Sequence, residues 1–117
     1  MKTLTTITSD NKRDLVKASV TTNTFKDFID TPLTMTGVIM YEKDETDEKT
    51  GEVKTVEVSC VKTDEQGFIS SISPTVKNSL ETIANAFSEE EILAGVPIVI
   101  KSKKSNGGRD FYYVDLQ

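Results

Sequence analysis

Residues 68–87 read FISSISPTVKNSLETIANAF, a short β-type run passing into a helix, and the rest of the chain is placed by reference to them. Ser73 stands before Pro74 as an N-cap before a first-turn proline, and Val76, Leu80, Ile83, Ala84 and Phe87 then recur at helical spacing. Outward in both directions the pattern is that of β structure. Upstream, residues 33–43 (LTMTGVIMYEK) predict a strand with Leu33, Met35, Gly37, Ile39 and Tyr41 on one face, and Gly37 marks a bulge or tight bend. Residues 44–51 predict a charged hairpin loop. Residues 52–63 (EVKTVEVSCVKT) alternate cleanly, with Val56, Val58 and Cys60 on one face and Thr55, Glu57 and Ser59 on the other. DEQG at 64–67 is a tight turn. Downstream, Ser88 with Glu89, Glu90 and Glu91 predicts a second N-cap and a short helical turn ended by Gly95. Residues 96–103 and 109–116 predict two further strands joined by KSNGG.

This element order, β-β-β-α-β-β, predicts a mainly β protein with one helix: a five-stranded Greek-key barrel of OB type over residues 32–117. Residues 1–31 form an N-terminal extension, read as a weak strand, a turn or short helix near 10–17, a strand at 18–22 and an apolar patch of Phe25, Phe28 and Ile29. Such an extension either packs on or beside the barrel, covering an edge, or serves as an arm that docks on a neighbouring copy or a partner.

Composition narrows the function. At 117 residues, with 36% hydrophobic and 28% charged residues, the chain is sized for one globular domain. No apolar run approaches the roughly 20 residues that span a bilayer, and the start lacks a hydrophobic signal core, so a cytoplasmic protein with no membrane partner is expected. The absence of histidine removes the usual general base and zinc ligand, and the single cysteine, Cys60, reads as a small buried residue. No catalytic or metal constellation stands out: Asp44, Asp47 and Glu48 miss calcium-loop spacing, and Gly107-Gly108 lacks the lysine and helix of a phosphate loop. The expectation is a non-enzymatic protein without a cofactor.

The net charge of −5 is unevenly spread. Acid gathers at 42–52 and 89–91, whereas Lys101, Lys103, Lys104 and Arg109 form a basic cluster, and screening keeps the two apart over about 10 Å. A single strand of nucleic acid needs cations for its phosphates and rings on which bases stack. Lys54 and Lys62 on the second strand, the four cations of the last hairpin, and Tyr41, Phe68, Tyr112 and Tyr113 supply both. Phe111 and Tyr113 share one face of the last strand and Tyr112 takes the other, so each ring serves either the core or a ligand.

From about Leu33 onward, the strand ending in YEK, the KTGE hairpin, the DEQG-Phe turn, the SPTVKNSL helix start and the KKSNGGRDFYYVDL hairpin resemble the small single-stranded DNA-binding proteins carried by phages and conjugative elements of Gram-positive bacteria. The resemblance implies an OB-type barrel that coats single strands during replication or transfer, self-associating on DNA. It implies contacts near Lys101, Lys103, Lys104, Arg109, Phe111 and Tyr112, and further ones at Tyr41, Lys54 and Phe68. The acidic run at 42–52 supports a rival: a small phage or plasmid protein that inhibits a host or defence protein by mimicking DNA phosphates. A third reading is a structural component that self-associates through edge strands.

Overall fold

The apolar stripe Val76, Leu80 and Ile83 lies buried against a β-sheet in the computed structural model of the protein, which describes residues 2–104 and 106–117, with the backbone alone for residues 2 and 3. Met1 and Ser105, the latter in the expected KSNGG turn, lie outside the described residues. The elements in chain order are β1 (Lys2–Ile7), α1 (Asn11–Val20), a 3₁₀ turn (Phe25–Phe28), β2 (Pro32–Thr46), β3 (Val53–Thr63), β4 (Gly67–Ser71), α2 (Pro74–Ala86), α3 (Glu89–Ala94), β5 (Val96–Lys104) and β6 (Asp110–Leu116). The strand-and-helix order expected from residue 32 is present, with five strands (β2–β6) there; in the extension β1 stands where a weak strand was expected and α1 where a turn or short helix was, and α3 forms over the expected helical turn.

All pairings between the strands are antiparallel, in the order β4-β3-β2-β5-β6, and β1 joins the sheet beside β2. The expected closed barrel is corrected to an open sheet, because no ladder joins β4 to β6 among the described residues. Local hydrogen bonding explains this. The outer edge of β4 is taken by the N-terminal segment: Ser70 N–H donates to Asn23 O at 3.1 Å, and Thr21 Oγ1 and Asn23 Nδ2 donate to Phe68 O at 2.7 and 3.2 Å. On β6, Val114 N–H donates to Ser79 Oγ of α2 at 2.9 Å. Backbone groups that a β4–β6 ladder would use are thus already satisfied, and neither edge lies bare at these points. Past Asn23 the chain drives Phe25 into the main core, bridges Ile29 to Ile100 and enters β2.

Gly37 does mark a bulge. Met35 pairs with Thr63 and Gly37 with Lys62, leaving Thr36 as the extra residue. A Cβ on Gly37 would stand 2.9 Å from the Ile7 carbonyl oxygen, so the glycine lets the end of β1 come close. The bulge also corrects the expected face of β2: because the side-chain period is two, Leu33 and Met35 share the core with Val38 and Met40, while Ile39 and Tyr41 turn outward. The strand expected at 18–22 gives way to α1, whose N-cap Asp10 accepts from Arg13 N–H and which runs on to Val20.

Around α2 the helix signals have mixed outcomes. Ser73 holds the N-cap position before Pro74 without a side-chain capping bond. Ser88 and Glu91 form a full capping box on α3, and Gly95 ends that helix at φ +115°. The β2–β3 pair projects as a two-stranded ribbon that continues to Thr46 and Val53, so the charged loop is shorter than expected.

Two apolar layers result. The main core gathers Leu33, Met35, Val61, Leu80, Ile98 and Ile100 beneath α2 and α3. On the opposite face, Ala18 of α1 meets Ile39, Tyr41, Val58 and Cys60, with Leu15 and Phe68 packed alongside. No helix among the described residues is long and apolar enough to cross a membrane.

Candidate nucleic-acid interface

The β5–β6 ladder sets Lys101 opposite Tyr113 and Lys103 opposite Phe111. Alternation then places these four side chains on one face, the face turned away from Ile98, Ile100 and Val114. The Lys103 ammonium stands 5.1 Å from the Tyr113 ring centroid, within cation–π range. Lys101 Nζ is 3.1 Å from Asp30 Oδ1, an exposed pair that is worth little and leaves the lysine available to another anion. Phe111 and Tyr113 are half-buried, and Lys103, Lys104 and Arg109 are exposed around the turn. Lys104 lies opposite Asp110, and Asp115 follows on the same strand, so the patch is basic with an acidic margin.

Tyr112 takes the other face of β6. It packs against the main core and lines a groove of about 260 Å³ with Phe25, Lys26 and Ile72 at the open seam between β4 and β6. The ring partner of the basic hairpin is therefore Tyr113. Its parity with Lys101 and Lys103 is readable once the turn is centred near residue 107, which is the signal that would have favoured it over Tyr112.

A second group lies across β2, β3 and β4, where Tyr41, Lys62 and Phe68 share the outward face. Lys62 Nζ sits 6.0 Å from the Phe68 ring centroid and 2.9 Å from Asp14 Oδ2 of α1. Tyr41 is buried, at 3% exposure, and burial raises the pKa of its phenol, with the neighbouring Cys60 adding to the shift. Burial likewise pushes the Cys60 thiol up to about 12. In this arrangement α1 stands over the group. Asp14 was not singled out in the sequence, since a single acid on a weakly amphipathic segment carries no signal of its own.

Lys54 stands apart from both groups, on the exposed ribbon opposite Glu45. The ribbon is acidic on balance, with Lys43, Lys49 and Lys54 among its acids: Glu42 faces Glu57 directly, and Asp44, Asp47, Glu48 and Glu52 continue toward its tip. Glu57 is paired with Lys77 of α2, whose pKa is raised chiefly by that hydrogen bond. Comparison of the chain with known protein families, with curated proteins and with solved structures found no match.

Proposed function

We propose that the protein is a non-enzymatic, OB-type single-stranded DNA-binding protein, largely indifferent to sequence, that acts in phage or plasmid DNA replication or transfer in a bacterial cytoplasm. The observation that carries this reading is the outward face of the β5–β6 hairpin, where Lys101 and Lys103 alternate against Phe111 and Tyr113 and the Lys103 ammonium lies over a ring. Cations beside half-exposed rings suit a strand whose phosphates and bases alternate at every nucleotide, and each base stacked on a ring contributes ~1–3 kcal/mol. The strand order β4-β3-β2-β5-β6 supports an OB-type ancestry in which closure has been lost to the N-terminal segment. Neighbouring copies on one strand would supply the coating that a domain spanning ~4–16 nucleotides needs.

The acidic ribbon favours a second reading, a phosphate mimic that occupies the DNA site of another protein, because Asp44, Glu45, Asp47, Glu48 and Glu52 are exposed together along it. Fluorescence anisotropy of labelled oligo-dT separates the two. Binding should weaken with salt, each neutralised phosphate contributing a slope of about −0.7 in log affinity against log salt, and Lys103→Glu/Lys104→Glu should flatten that slope by about 1.4. Tyr113→Ala should weaken binding more than Tyr112→Ala. No binding even at low salt would overturn the reading and leave the mimic.

A further inference from the structure

We infer that α1 is a displaceable cover on the single-stranded DNA site, its Asp14 carboxylate standing at Lys62 where a strand phosphate would sit. The inference rests on the DNA-binding reading of the hairpin and extends it across the same outward face of the sheet.

The covered surface shares a lysine-by-ring pair with the uncovered one, set around the apolar residues Ile39, Val58 and Cys60. On β5–β6, lysines alternate with aromatic rings in the open. On β2–β3–β4, Tyr41 and Phe68 accompany Lys62, whose ammonium lies 6.0 Å from the Phe68 centroid, much as Lys103 lies over Tyr113. The difference is the helix laid on top. Its hold is modest in apolar terms: α1 sinks one small residue, Ala18, and one charged residue, Asp14, with Leu15 packed half-buried beside them, whereas Val16 and Val20 face solvent at 63% and 71% exposure. The feature of α1 that matches the sheet most closely is the carboxylate, 2.9 Å from Lys62 Nζ and 3% exposed. A carboxylate and a phosphate oxygen are interchangeable partners for an ammonium. A helix held by a little apolar area and one ion pair belongs to the part of a protein that opens locally at low free energy.

The consequence is competition. When α1 is down, a strand reaches only the hairpin. When it lifts, Lys62 exchanges Asp14 for a phosphate, and Tyr41 and Phe68 become available for stacking. Apparent affinity is then set by the fraction of molecules with α1 displaced, and shifting that fraction changes affinity by the same factor. Such a motion would turn on residues 8–10, which join α1 to β1, and on Thr21, whose hydroxyl bond to Phe68 O holds the exit of α1 at the border of the covered face.

The test uses the full chain and labelled oligo-dT. Asp14→Asn keeps the shape of the side chain and removes its charge. Ala18→Asp forces a carboxylate under the helix and should lift α1 outright. Both should bind several-fold to about tenfold tighter than wild type, in proportion to the open fraction they add. Ala18→Asp is the sharper arm, since it adds negative charge yet is expected to tighten binding to a polyanion. Glu48→Gln, the same charge change as Asp14→Asn but on the ribbon tip, controls for net charge and should stay within about twofold of wild type. Hydrogen exchange on wild type should show residues 11–20 losing protection when oligo-dT saturates the protein, and this arm decides the matter if Ala18→Asp does not fold. If wild type binds but α1 keeps or gains protection and Asp14→Asn behaves like Glu48→Gln, the cover is overturned while the hairpin site stands. If neither wild type nor either variant binds, the DNA-binding reading falls and the cover with it.

Discussion

Helices α2 and α1 lie on opposite faces of one sheet and are held to it by different means. Val76, Leu80 and Ile83 of α2 are buried in the larger apolar cluster, which α3, β5 and β6 complete. Helix α1 contributes one fully buried apolar residue, Ala18, to a cluster of five, and its other buried residue is an aspartate. Apolar burial contributes about 25 cal/mol per Å² wherever it occurs, so the helix that buries branched side chains is part of the folding unit and the helix that buries an alanine is an attachment. The comparison teaches where the sheet tolerates change. Its inner face carries the larger core, and its outer face carries the smaller one beneath α1.

The largest effect that would sharpen this contrast is Leu80→Ala, expected to cost ~2–5 kcal/mol of global stability in urea unfolding because it opens a cavity in the main core. Ala18→Gly on α1 should cost only about 1 kcal/mol, the helix-propensity difference. Equal losses at the two sites would break the comparison. Next in size are the two halves of the α1 ion pair. Lys62→Ala strands the buried Asp14 carboxylate, whereas Asp14→Ala leaves a lysine whose side chain is already 28% exposed and can turn to water. The first should therefore cost more than the second, within the ~1–3 kcal/mol range of a buried polar group left unpaired. A reversed order would mean that Lys62 is the poorly solvated member.

Much of this was legible in the sequence, and the failures share a cause. The order of elements from Pro32 onward, the bulge at Gly37, the stop at Gly95 and the stripe of α2 are each written within a few neighbouring residues, and local signals specify them. What a bulge does to every later side chain is also local in origin but acts at a distance: one extra residue at Thr36 sends Ile39 and Tyr41 outward. The course of residues 21–30 along β4 and into the seam depends on partners more than 40 positions away, such as Phe68 for Thr21 and Ile100 for Ile29. No window of sequence contains both. The basic hairpin is legible as a cluster, and its split of Phe111 and Tyr113 from Tyr112 is legible too, but which of the two faces turns outward is set by the packing of Val114 and Tyr112 on the main core. Lys54, grouped with Lys62 because both lie on β3, is separated from it by the length of the ribbon.

Cys60 gives a third, smaller test from within the α1 layer. Its thiol is buried beneath Ala18 and Leu15, and burial holds its pKa near 12, so alkylation at mildly basic pH must wait for an opening. If α1 opens by itself, iodoacetamide should label Cys60 at a rate that barely responds to low urea, since local opening exposes little surface. A rate that climbs with urea as steeply as global unfolding would show that α1 and the sheet part together, and the distinction between the two helices would fail.

The smallest effect is expected at a tie that belongs to neither layer. Thr34 N–H donates to Glu65 Oε1 at 2.8 Å and its hydroxyl donates to Oε2 at 2.9 Å, and the backbone hydrogen bond in particular holds the Glu65 carboxyl below its ordinary value of 4.5. A carboxyl whose folded pKa is lowered binds fewer protons folded than unfolded between the two values, so stability rises with pH through that window. The contribution is complete above 4.5 and is lost as pH falls through the folded value. Because the carboxylate lies in open water, its share at neutral pH is small. Urea midpoints for wild type and Glu65→Gln should therefore differ slightly at about pH 7 and draw together as pH is lowered below 4.5. A difference that stays constant would mean that geometry, not charge, makes this bond, and that the turn joining β3 to β4 is indifferent to acid.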